Sequence, residues 1–370
     1  SEIKTALTIP PWDSPIHRLL GMNSIKIRIL GIQFQSKSQL MQSLLPLVQG
    51  NLLNQAIYDE IDTYTEHEIL EAINVIQTAN PIQSSRQLRL DEFEALQRAA
   101  STGHPPVPSS TPGGPPQFEI IYQQVRTIPG PGNHHLRITP VNRLRVVMVQ
   151  TGYRRVPGGD PTLSSVVDCR YHDGNRYWYP GVELFGEGIF IDLDPCTNPT
   201  SHFPLTGHPA NIWMDAWSNP ESFSQNLLTP EDRDQLHPVF VWWHTVSHRL
   251  INALSVDSGY SSAAVRERVY VRIDENSGQA LGGVLLYTTQ PGGDGTLGGM
   301  VALAPAFDRV LNSAFRTIDA CSNDPLCGEE QFGAGKYNGA ACYACSLVSE
   351  TSCEHRNMRL DRNLVLENLP

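Results

Sequence analysis

Apolar positions recur at helical spacing over the first hundred residues and give way to strand-like alternation after a Pro/Gly-rich stretch. Residues 37–55 carry Leu40, Leu44, Leu47 and Leu52 in a helical pattern. Thr65 and Glu68 form a T-x-x-E capping box, with Ile69, Ile73 and Ile76 following at i, i+4 and i+7. That helix is expected to stop near Asn80-Pro81, because proline disfavours helix in the residue before it. A further helix is predicted over 86–100, with Leu88, Phe93 and Leu96. Ahead of these, Ile25, Ile27 and Ile29 alternate and predict a short strand after irregular chain. The stretch STGHPPVPSSTPGGPP at 101–116 reads as a linker or exposed loop, since that composition buries little apolar surface.

From 117 to 230 the pattern is mostly β. Strands are predicted at Phe118–Val125, Arg143–Val149, Tyr177–Tyr179 and Gly188–Leu193. Glu183, Glu187, Asp192 and Asp194 punctuate VELFGEGIFIDLD and read as the solvent side of an edge strand. Pro238 then starts a helix that is apolar on most sides, VFVWWHTVSHRLINALSV, which predicts a buried helix. Ser261 or Ser262 is placed to cap a short helix before strands at Val269–Ile273 and Gly283–Thr288. A helix is predicted at about 300–317. The fold class is therefore mixed α and β (α+β). A mostly helical region (1–100) leads through a linker (101–116) into a β-rich middle domain (117–230) and a C-terminal α/β domain (231–370).

Composition changes this picture little: 40% hydrophobic and 18% charged residues are ordinary for a globular chain. The net charge of −11 excludes a whole-surface basic field for nucleic acid but leaves room for a local basic patch. No 18-residue apolar run or charged leader pattern is present, so no membrane span or signal peptide is read. The chain opens at Ser1 without methionine, as a processed or trimmed piece of a longer chain would.

The chemistry concentrates near the C-terminus. Five of the seven cysteines fall there: Cys321, Cys327, Cys342, Cys345 and Cys353. The C-x2-C pair Cys342 and Cys345 can bite one ion from a tight turn, and Cys321 and Cys327 can close the other side. Four of the five are expected to hold a structural zinc, with Cys353 or His355 as the substitute ligand. An odd cysteine count clustered at one end fits a reducing compartment and a metal site.

Other patterns are weaker. His244 and His248 share one face of the apolar helix at metal-ligand spacing. Thr245 stands where a metalloprotease helix would carry glutamate, so paired core histidines are the favoured reading. Gly293, Gly295 and Gly298 fit G-x-G-x-x-G between a strand and a helix, a turn whose amides can hold a phosphate. Arg356, Arg359 and Arg362 approximate one face of a short helix. Together with Arg266 and Arg268 they are candidates for contact with DNA. No Walker A lysine motif is present, so the chain is not itself a motor.

In combination, HTVSHRLINALSVDSGYSSAAVRERVY, GVLLYTTQPGGDGTLGGM and the block from C-x5-C through C-x2-C to ETSCEHRNMRLDR resemble the DrmB family of the DISARM anti-phage system. They also resemble the zinc-binding domain of MrfA-type helicases. LRVVMVQTGYRRV and YPGVELFGEGIFIDLD extend the resemblance upstream, from about Arg143 to Leu366. The resemblance implies a bacterial cytoplasmic protein whose cysteines bind zinc and which has no catalytic site. It implies partnership with a DrmA-type superfamily-2 helicase and, through the complex, binding and translocation on phage DNA. Two rival classes remain: a metal-dependent nuclease or hydrolase using His244, His248 and an acid such as Asp257 or Glu267, and a structural adaptor that touches no nucleic acid.

Overall fold

A computed structural model describes residues 2–7, 15–20, 25, 28–29, 32–78, 85–109, 112–154, 166–173, 176–194, 203–223, 230–289 and 297–370. Its centre is an antiparallel sheet built around two long strands, β4 (His135–Arg154) and β8 (Gly181–Leu193). The path runs from β1 (Glu2–Leu7) through β4, β8 and β10 (Gln279–Thr288) to β9 (Val265–Asp274). Short strands β2 (Phe118–Ile120), β3 (Arg126–Pro129) and β5 (Val166–Asp168) also pair with β4. A separate small ribbon joins β6 (Tyr171–Asp173) to β7 (Arg176–Trp178).

Both faces of the sheet are covered. Strand side chains alternate between faces, so neighbouring residues enter different cores. On β10, Val284 and Leu286 join one core while Leu285 and Tyr287 join the other. On β8, Ile189 and Ile191 face the first core and Phe190 the second. The second core is completed by the N-terminal helices α1 (Pro15–Leu20), α2 (Lys37–Gln49), α3 (Gln55–Asp62), α4 (Glu66–Thr78) and α5 (Ser85–Thr102). The capping box forms: Thr65 N–H donates to Glu68 at 2.8 Å, and Glu68 N–H to the Thr65 hydroxyl at 3.4 Å. Phe93 of α5 stacks on Tyr270 of β9, with ring centroids 5.6 Å apart.

The first core is built on α7 (Pro238–Asp257), with α6 (His208–Ser218) and α8 (Phe307–Phe315) beside it. The His237 side chain caps α7, accepting from Val239 N–H at 3.2 Å, and Pro238 opens its first turn. Gly282 of β10 is required by this packing. A Cβ there would lie 2.3 Å from Cδ1 of Trp243 and 2.9 Å from Cγ1 of Val239.

The mixed α/β class stands, but four expectations change. First, one sheet runs across position 230, because residues 187–192 of β8 pair with residues 283–288 of β10. Second, the Pro/Gly stretch is anchored at Val107, which is buried and bridges to Phe118. Third, the described residues at 25 and 28–29 are helical, not a strand, and β9 begins at Val265 with no helix before it. Fourth, β8 is central, and Glu187 and Asp192 within it and Asp194 just after it are buried. Asp192 receives two hydrogen bonds from the Arg137 guanidinium, at 2.9 and 2.6 Å. Burial pushes the Asp192 carboxyl up to about 6, although Arg137 opposes the shift.

Candidate metal centre

Two loops bring four thiols together after α8. The first runs from Cys321 to Cys327 and is closed by Cys327 N–H donating to the Asn323 carbonyl at 3.0 Å. The second is a tight knuckle in which the Cys345, Ser346 and Leu347 amides all donate to the Cys342 carbonyl, at 3.2, 3.0 and 3.2 Å. The Sγ atoms of Cys321, Cys327, Cys342 and Cys345 lie within 4.8 Å of one another. The separations are 3.4 Å for Cys321–Cys342, 3.7 Å for Cys327–Cys345 and 3.8 Å for Cys342–Cys345. A tetrahedral ion with Zn–S bonds of ~2.3 Å holds its sulfurs about 3.8 Å apart, so the set fits zinc.

The surroundings suit thiolates. Asn323 N–H donates to the Cys321 sulfur at 3.4 Å, its side-chain amide to Cys342 at 3.3 Å, and the Ser346 hydroxyl to Cys345 at 3.3 Å. Burial raises the Cys342 thiol, but hydrogen bonds from Cys321, the Ala344 amide and the Asn323 side chain more than offset it and hold it down at about 7. Arg249 of α7 donates to the Cys345 carbonyl at 2.9 Å, to the Ala314 carbonyl at 2.9 Å and to Thr317 at 2.8 Å. Arg362 is buried on the other side, donating to the Ile318 carbonyl at 3.1 Å and pairing with Asp324. Two guanidinium groups therefore sit beside a cluster that would carry net negative charge with zinc bound.

The fifth cysteine lies elsewhere. Cys353 is buried against α7, its sulfur 3.3 Å from Nε2 of His244. His248 and Glu267 complete that second group. Asp257 belongs to α7, but its side chain lies outside the described residues. His355 packs its ring against His244 and Phe240, and burial pulls it down to about 3, so it stays neutral.

The sequence patterns for nucleic acid fare differently. Arg359 and Arg362 are buried, and residues 353–361 are turns rather than a helix. Arg268 is buried in a fork on Glu92, at 2.6 and 2.8 Å. These three are therefore not a free phosphate-binding face. Only Arg356 is exposed, and Arg266 is half-buried. Asp361, in the same segment, is a polar hub. Asp361 accepts from Trp213 Nε1 at 2.8 Å, Ala340 N–H at 3.2 Å and Asn363 N–H at 3.0 Å. It thereby caps the last helix, α9 (Arg362–Leu366).

Gly293 and Gly295 lie outside the described residues. Gly298 is described, and its amide is already taken by an internal anion. Glu187 of β8 accepts from the Gly298, Met300 and Val301 amides at 2.8, 3.2 and 3.3 Å, and from the Tyr260 hydroxyl at 2.5 Å. Glu187→Ala would leave these donors unpaired and is expected to cost roughly 3 kcal/mol. Chemical denaturation checks this; an unchanged midpoint would rule the anchor out.

Comparison with known proteins agrees with the metal chemistry. Residues 246–346 match the family model of the MrfA Zn-binding domain. That range carries the four clustered cysteines and excludes Cys353. The four-cysteine cluster is a structural zinc site. Over 258 residues the chain is 33% identical to the DISARM protein DrmB of Bacillus paralicheniformis, covering 66% of this chain. The chain is similar to DrmB. It spans 44% of that relative's length. Among the described residues, no helix is long and apolar enough to cross a membrane.

Proposed function

We propose that the chain is a non-catalytic, zinc-stabilised subunit of a DISARM-type anti-phage complex in the bacterial cytoplasm. The observation that carries this reading is the similarity to the DISARM protein DrmB over 258 residues. Its partner, on this reading, is a DrmA-type superfamily-2 helicase, and the complex acts on foreign DNA. The zinc site supports a scaffolding role: four thiolates fill a tetrahedral shell and leave no position for water, which catalytic zinc needs. The loops that present the thiolates also expose large apolar side chains. Leu326 is 80% exposed beside Cys327, and Tyr343 is 89% exposed beside Cys342. Apolar groups so displayed on a metal-braced loop suit contact with a partner protein. Direct DNA contact rests on Arg356 and Arg266, helped by any positive surface the helicase adds.

Burial of Arg268, Arg359 and Arg362 favours a second reading, an adaptor that reaches DNA only through its partner. A nuclease reading around His244 and His248 is disfavoured, because both side chains and Glu267 are buried away from any substrate. The test is the DNA-stimulated ATPase rate of the cognate helicase, with and without this chain, on duplexes with and without single-stranded tails. Co-purification and a changed rate or tail preference are expected. Failure to co-purify, with an unchanged rate, would overturn the subunit reading. Arg356→Glu with Arg266→Glu separates the two readings: DNA affinity of the complex falls, at fixed salt, only if the chain touches DNA.

A further inference from the structure

The strongest unexplained chemistry lies in the core, away from the four-cysteine cluster. Two turns of α7 place His244 and His248 one above the other, β9 brings Glu267 beneath them, and the last cysteine closes the group. One ligand atom from each of His244, His248, Glu267 and Cys353 lies within 4.8 Å of all the others. Nε2 of His244 is 2.9 Å from Oε1 of Glu267, and Nε2 of His248 is 3.4 Å from it. All four side chains are buried.

The outer atoms of this group are already occupied. Nδ1 of His248 is 2.7 Å from the Ser346 carbonyl, and Nδ1 of His244 is 3.2 Å from the Arg359 carbonyl. A carbonyl only accepts, so both Nδ1 atoms carry the hydrogen. In its neutral form each ring then turns a bare Nε2 lone pair inward, the arrangement in which ligating histidines are fixed by a carbonyl behind them. The second carboxylate oxygen of Glu267 accepts from the Ser247 hydroxyl. The sulfur of Cys353 accepts from the His355 and Asn357 amides at 3.3 and 3.2 Å. What faces the centre is two lone pairs, a carboxylate oxygen and a sulfur. Nε2 of His248 and Oε1 of Glu267 have no hydrogen-bond partner although both are buried. Apart from the weak Cys353 S–H, these converging groups are acceptors, and such a set in a dry core is costly.

We propose that His244, His248, Glu267 and Cys353 hold a second divalent d-block ion, zinc by its donor set, in a closed structural site at the centre of the first core. Two neutral imidazoles, one carboxylate and one thiolate carry two negative charges, which a divalent ion cancels without a counter-ion. Mixed nitrogen, oxygen and sulfur donors at four-coordinate spacing are zinc-type ligands. The site would stitch α7, β9 and the segment after the second knuckle together from inside, while the four-cysteine cluster does so from outside.

The test is metal analysis of the full-length chain, produced with zinc supplied and purified under reducing conditions, combined with X-ray absorption at the zinc edge. Two equivalents of divalent d-block metal per chain are expected. Five sulfurs, two nitrogens and one oxygen shared over two zinc ions give a mean of about 2.5 sulfurs per ion. A single zinc per chain with a first shell of four sulfurs in the unaltered protein would overturn the proposal, and this readout does not depend on any variant folding. His248→Gln and Cys353→Ala should each drop the content to one ion and turn the remaining shell wholly to sulfur. If both variants fold and keep the content and shell of the unaltered protein, the assignment is wrong.

Discussion

Cys345→Ala is expected to abolish zinc at the four-cysteine cluster and to deprive the C-terminal region of a cooperative fold. Between α8 and α9 the chain has turns but no regular helix or strand to hold it. Its order comes from the two thiolate loops, the Asp361 hub and the Arg249 and Arg362 contacts. Structural zinc couples on the order of 10 kcal/mol of apparent binding energy to folding. Whole domains are stable by only about 5–15 kcal/mol. Loss of one buried thiolate therefore outweighs most of what remains. Zinc content and a circular-dichroism melt of the variant check this; a wild-type metal count together with an unchanged melt would show that the cluster is not structural.

The second large effect lies where three parts of the chain meet. Arg268 of β9 forks onto Glu92 of α5 and also reaches Glu354 in the cysteine segment, at 3.1 Å. Arg89 of α5 meets the same Glu354 at 2.7 Å. This network joins the N-terminal helical layer, the sheet and the segment after the zinc loops. Glu92→Ala leaves the buried Arg268 without its main partner and is expected to cost about 3–5 kcal/mol. Glu92→Ala with Arg268→Met should recover part of that loss in denaturant melts, because no charge is then stranded. Equal loss in the single and double variants would argue against the pairing.

The same network sets an acid response. Burial raises the Glu354 carboxyl, but Arg89 and Arg268 outweigh this and hold it down at about 2. A folded value below the unfolded one means stabilisation present above about pH 5 and lost as pH falls towards 2. Glu354→Gln should flatten that part of the stability profile.

Much of the fold was legible because its signals are local. The capping box at Thr65 and Glu68, the apolar helix after Pro238 and the C-x2-C pair each need only a few residues of context. What was illegible depends on covering both faces of one sheet. Strand β1 has no clear alternation of its own, and it becomes a strand by pairing with β4. Arg268 reads as solvated in RERVYVR, since nothing local shows that α5 lies over it. Glu187 looks like an exposed acid, yet it serves as the anion for a loop 111 residues away. The metal ligands divide the same way. Spacing identified the cysteine set, with Cys353 as a possible member. The juxtaposition of Cys353 with His244, 109 residues earlier, comes only from folding.

The central claim is that zinc in the four-cysteine cluster clamps the C-terminal segment onto α7 and the sheet. Hydrogen–deuterium exchange of the full chain, in reducing buffer before and after chelation, tests it most directly. The account predicts that exchange rises first across 318–366 and the facing part of α7, while α4 and α5 keep their protection. Zinc removal without any change in exchange over 318–366 would contradict it.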